Sequence, residues 1–295
     1  MLLSIRRSAY RLSILLAVIA GATGLVTLLN PSVLRGPAVM NGSAQGTAAV
    51  LVFIDLPLLI GAMWFAARGS VRALPVWLGA IAFAAYQAIL FLFLTPFNSL
   101  FLLNVAMMGL CFWSAVSLLS AVDVRWFARQ VSSRLPARAI AAYILVIVVL
   151  NALLWLRSII PALGSSGTPE FLQGTGVATN AVFIQDLGFW LPLMAVAAVW
   201  LWQRRPWGLL ITSAVLVTWV VESISIALDQ WMGHLADPSS TLVSVTMTPV
   251  FLILALIGLI PVGLFYRAIR SRDTMSPEVT GNREALRVLP SPRLG

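Results

Sequence analysis

A chain of 295 residues that is 60% hydrophobic and only 10% charged is no ordinary soluble domain, since those carry roughly 25% charged residues. All 19 basic residues are arginine, and against 10 acids they leave a formal charge of +9. The arginines stand beside apolar runs, so they read as topology signals and as contacts for anionic lipid head groups, not as a nucleic-acid surface.

Arg6, Arg7 and Arg11 precede the first apolar run, as in a signal peptide. That run is as long as a full span and no small-x-small cleavage site follows it, so a retained helix is expected. Eight segments have the length of a span, near 12–30, 48–67, 75–95, 99–120, 139–160, 178–202, 207–228 and 242–266. The expected fold is therefore all-α, a polytopic transmembrane helix bundle in the cell membrane. Arginine placement puts both termini in the cytoplasm, with only Arg35 and Arg157 toward the other side.

Between the fourth and fifth spans, Val124, Phe127 and Val131 recur at helical spacing with Arg125, Arg129 and Arg134 on other faces. This predicts a short helix in the cytoplasmic interface. It also makes 122–138 a linker between membrane halves 1–121 and 139–268, with a disordered tail over 269–295. The halves share features. Asp55-Leu56 and Asp186-Leu187, like Pro75 and Pro206, are 131 positions apart, and Pro31 and Pro161 close the first and fifth spans. The expectation is two parallel four-helix repeats. Cys111 is the lone cysteine, so neither an intramolecular disulfide nor a zinc–thiolate cluster is available.

Polar residues inside apolar spans are the functional candidates, because a carboxylate at a helix centre costs about 2.5–3.5 kcal/mol on insertion scales. Asp55 and Asp186 count to about eight residues from the outer ends of the expected helices, roughly 12 Å deep at 1.5 Å per residue. Gln87, Asn104 and Glu222 fall in the same outer slab, with Arg157 on the fifth span. Pro57 and Pro192 follow the two aspartates, and a proline within a span frees a carbonyl and permits a kink. One reading is an outward-facing polar cavity that binds or translocates a small ligand or ion. In it Asp55, Asp186 and Glu222 supply charge, and Arg157 tunes them by proximity. The other is structural, with an Arg157–Asp186 ion pair and Asp55 bonded to Gln87 or Asn104 in a scaffold or sensor that transports nothing.

An outer loop over 229–237 offers Asp229, His234 and Asp237, which could hold a metal or serve an enzyme at the membrane surface. Their spacing matches no established metal motif, and neither a metal nor a cofactor is expected. Trp155 and the other tryptophans near span ends read as an aromatic belt. No nucleotide-binding, serine-hydrolase or zinc-protease signature is present, so an enzyme is the less expected reading. The runs Arg204-Arg205-Pro206-Trp207-Gly208, Asp229-Gln230-Trp231 and Pro96-Phe97-Asn98-Ser99 resemble a group of bacterial polytopic membrane proteins. That resemblance implies eight helices in a bacterial inner membrane and carries no activity, cofactor or substrate.

Overall fold

A computed structural model describes residues 7–270, so the expected tail beyond Arg270 lies outside the described residues. Eight long helices cross the bundle: α1 (Arg7–Leu29), α2 (Ala38–Ala67), α3 (Ala73–Phe93), α4 (Phe101–Ala121), α6 (Ala137–Leu163), α7 (Ala181–Trp202), α8 (Pro206–Ala236) and α9 (Met247–Ala268). Between α4 and α6 lies the short α5, Val124–Gln130, whose first turn is capped by the Asp123 carboxylate accepting from the Trp126 amide. All eight long helices are apolar enough to span a bilayer. Most of their exposed side chains are hydrocarbon, such as Phe53, Leu102, Leu150 and Leu256. In lipid every backbone group must be satisfied within the segment, which is why such sequences fold as helices. The chain is a multi-pass integral membrane protein.

Two boundaries differ from the sequence expectation. α2 begins at Ala38, ten residues before the expected start, and α8 continues to Ala236 through the stretch expected to be a loop. The cause is packing. Gly42 and Gly46 of α2 lie against the backbone of α8, where an added Cβ would press on the carbonyls of Met232 and Leu228. Gly233 answers from α8, with Ser43 Oγ and Val243 filling the space its Cβ would take. Backbones that approach this closely hold each other in helices whose residues (Asn41, Ser43, Gln45, Thr47) otherwise read as loop.

α2 and α7 each contain one π-helical turn, Leu51–Asp55 and Asp186–Trp190. Leu56-Pro57-Leu58 follows the first and Leu191-Pro192-Leu193 the second. Proline cannot donate to the carbonyl four residues back and its ring pushes on it, and a widened turn absorbs both effects. These turns recur 135 positions apart, not 131, so Asp186 opens its π turn whereas Asp55 closes its own. The left-handed residues that end the two helices, Gly69 (φ 83°) and Arg204 (φ 53°), keep the 135 spacing.

α1, α2, α3 and α4 form a closed ring in which each helix packs on its two neighbours. α8 is the central element of the rest, touching α2, α3, α7 and α9, while α6 packs on α7. α3 and α8 run parallel in register: a Cβ on Gly79 would sit 2.8 Å from the Ala214 carbonyl, and Thr218 Oγ1 donates to the Gly79 carbonyl at 3.0 Å. The face carrying the start of α1, the proximal face, is tied together by arginines. Arg72 donates through Nε and Nη2 to the Ile269 carbonyl at 3.0 and 2.8 Å. Arg204 donates through Nη2 to the carbonyls of Ser133 and Leu135 at 2.8 and 2.7 Å. The opposite, distal face carries the segments 164–180 and 237–246 over the ends of α2 and α8.

Candidate polar site between α3, α7 and α8

Glu222 and Gln87 meet. Gln87, fully buried on α3, donates from Nε2 to Glu222 Oε2 at 2.6 Å. These residues are again 135 positions apart, continuing the in-register contact of Gly79 with Ala214 by eight residues along both helices. Asp186 comes to the same region from α7. Its Oδ2 accepts from Trp155 Nε1 of α6 at 2.8 Å, and the Tyr86 hydroxyl of α3 also reaches its carboxylate. Tyr86 and Trp190 rings lie 5.9 Å apart, and Trp190 Nε1 donates to Gln185 Oε1 at 3.1 Å.

Asp229 lies on α8 seven residues distal of Glu222, about 10.5 Å along the axis and on the same helix face. It is partly buried and borders a hollow of about 190 Å³ whose polar lining includes Ser43, Thr47, Thr175, Asn180 and Gln230. Ser43 Oγ donates to the Asp229 backbone carbonyl at 3.4 Å and also approaches its carboxylate. Thr175 and Asn180 come from the segment over the distal face, where Asn180 caps the start of α7 by accepting from the amides of Val182 and Phe183. Three acids thus descend from a hollow on the distal side toward the interior: Asp229 at its wall, then Glu222 and Asp186.

The expected site is divided. Gln87, Asp186 and Glu222 come together, whereas Asp55 and Asn104 lie in the closed ring of α1–α4. Arg157 is exposed on α6. Among the described residues it makes no ion pair with Asp186, whose carboxylate accepts from Trp155 instead. Gln87 bonds to Glu222, not to Asp55. None of Asp55, Asp186 or Glu222 borders the distal hollow. Asp229 and His234 stand five residues apart on one helix, about 140° around its axis, so they do not converge. Asp237 is occupied by Ser239, accepting from its amide at 3.1 Å and its hydroxyl at 2.7 Å. Among the described residues no group of three or more His, Cys, Asp and Glu could hold a metal.

Comparison with protein-family models, with curated proteins and with solved structures finds no match. The reading of the site therefore stands on its geometry. Trp155, Tyr86 and Gln185 were missed in the sequence. From sequence Trp155 reads as part of the aromatic belt, because the proximity of α6 to α7 at Asp186 leaves no mark on either helix alone.

Proposed function

We propose that this protein binds a small cation, such as a monovalent ion or a protonated amine, in the distal hollow, with Asp229 as its counter-charge. Glu222 and Asp186 below extend the same negative field inward as a route or second station. The observation that carries this reading is the position of Asp229, a carboxylate at the wall of a hollow whose other polar groups are neutral. A carboxylate in such a place is costly unless a cation or water meets it. We place the distal face outside the cell, because Arg72, Arg125, Arg129 and Arg204 gather at the proximal face, where they would meet anionic head groups at the cytoplasmic surface. The recurrence at 135 positions supports two parallel four-helix repeats meeting along α3 and α8.

The structural bonds Gln87–Glu222 and Trp155–Asp186 favour a second reading, a scaffold in which the acids only fix helix packing. Thermal unfolding in detergent separates the two. Under the first reading, sodium, ammonium or tetramethylammonium chloride raises the midpoint of the wild type above that in the chloride of the bulky N-methyl-D-glucamine cation at equal ionic strength. Ligand at 100 times its Kd adds about 2.7 kcal/mol. Asp229→Asn should remove the increment while leaving the starting midpoint nearly unchanged. A midpoint indifferent to all three cations, or an increment that persists in Asp229→Asn, contradicts the cation site and leaves the scaffold.

A further inference from the structure

Asp55 is the one carboxylate among the described residues whose two oxygens are both buried without a hydrogen-bond partner. It is 0% exposed, and so are Thr23 and Thr27 of α1 and Asn104 and Ser114 of α4. The side-chain polar atoms of those four residues also lack partners. All five belong to the closed ring of α1–α4. A Cβ on Gly21 would touch Leu56 at 3.4 Å, and one on Gly24 would press on Val52, so the Thr23 turn of α1 stands level with the π turn that ends at Asp55. From α4, Cys111 is buried in the same ring. Asn104 is two turns further toward the distal face on the same buried stripe.

The ring's core holds small members, Ala20, Ala48, Ala84 and Ala88, and on the distal side of Asp55 also the large, fully buried Leu51 and Met107. Toward the proximal face it is filled by Leu16, Leu59, Met63, Trp77 and Leu118, with Trp77 Nε1 bonded to Ser13 Oγ at 3.0 Å. Unpartnered polar side chains continue from Asp55 toward the distal face, Thr23 beside it and Thr27 and Asn104 beyond, whereas on the proximal side Ser114 is followed by bulky hydrocarbon. Other groups facing Asp55 do not neutralise it. α1 brings only hydroxyls at this level, with Tyr10 far proximal against Trp77. From α3, Gln87 is committed to Glu222 of α8, and Cys111 is the titratable group on α4.

An ionised carboxylate with no donor in such a core is strongly disfavoured, whereas a carboxylic acid is neutral and can both donate and accept. As helix glue Asp55 is poorly suited, since it joins no helix to another, and a leucine would pack the position better. We propose that Asp55 is a proton-binding site, enclosed by α1–α4 and exchanging with water on the distal face past Asn104, Thr23 and Thr27. The step is a simple association: the carboxylate takes a proton from hydronium, leaving water, and returns it by the reverse path. The site goes beyond the cation reading and does not depend on it, because Asp55 and the distal hollow share no residue.

The test is infrared difference spectroscopy of the full chain in lipid nanodiscs. The expected result is a carboxylic-acid C=O band at neutral pH that is lost in Asp55→Asn, displaced in Asp55→Glu, and shifted within minutes of transfer from H2O to D2O. Asn104→Leu should slow that exchange at least tenfold, and Asp229→Asn should leave the band unchanged, which separates this site from the cation site. Absence of an Asp55-dependent acid band at neutral pH overturns the proposal. So does a band that stays unshifted after a day in D2O.

Discussion

Replacing Gly46 by leucine is expected to be the most damaging single change in the molecule. The position leaves no room for even a methyl group, because a Cβ there would overlap the Leu228 carbonyl and crowd the Asp229 amide. Both obstacles are backbone, so relief requires α2 to move off α8. Small-residue contacts of this kind supply the close packing on which helix association in lipid depends, and overpacking a tight interior costs about 1–3 kcal/mol even where side chains can yield. With a rigid obstacle the cost should reach or exceed the upper figure. Gly46→Leu should therefore lower the unfolding midpoint in detergent sharply or prevent recovery of folded protein. Gly61→Leu, at a glycine with nothing within 4 Å of its Cβ position, should behave like wild type. Equal tolerance of both substitutions would show that α2 and α8 are not in backbone contact.

The second large effect concerns the pair at the α3–α8 seam. Gln87 is fully buried, and its Oε1 has no partner while its Nε2 is bonded to Glu222. Glu222→Leu would leave the whole amide without a partner, and stranding a buried polar group costs about 1–3 kcal/mol. Glu222→Gln should be mild or stabilising, because a second amide can accept from Nε2 and donate to the idle Oε1. Replacing both residues by leucine should recover much of the loss, as apolar substitution of both members of a buried polar pair often does. A double-mutant cycle on Gln87 and Glu222, read from unfolding midpoints, is expected to show a coupling of about 1 kcal/mol or more. Additivity within about 0.5 kcal/mol would mean that the two side chains do not meet.

The eight spans were legible because a bilayer demands about 20 apolar residues per helix, and little else produces such runs. Helix ends were less legible. Residues 38–47 are rich in Gly, Ser, Thr, Asn and Gln, and they are helical because α8 lies against them, a cause that stands 186 residues away at the Ser43–Asp229 contact. The same limit applies to the polar groups. Sequence shows that Asp55, Gln87, Asp186 and Glu222 are misplaced in hydrocarbon, but not which helices are neighbours. Hence it joined Asp55 to Asp186 as one site and offered Arg157 as a partner for Asp186. The repeated aspartates set an offset of 131, whereas the π turns and the Leu-Pro-Leu runs recur at 135, the separation that Gln87 and its partner Glu222 also have. What repeats is the backbone event caused by a proline, and the acid has shifted by one turn relative to it.

The claim that Asp229 gives the distal hollow a cation-attracting, water-filled character is open to a direct chemical measurement. In a Cys111→Ser background, Ala44→Cys places a thiol on the wall of the hollow, and its rate of modification is followed with a cationic and an anionic methanethiosulfonate of similar size. One nearby carboxylate should make the cationic reagent faster by about tenfold, equivalent to roughly 1.4 kcal/mol, with the preference lost in Asp229→Asn. A thiol inert to both reagents, or one that reacts with both at equal rates whether or not Asp229 is present, would contradict the cation site.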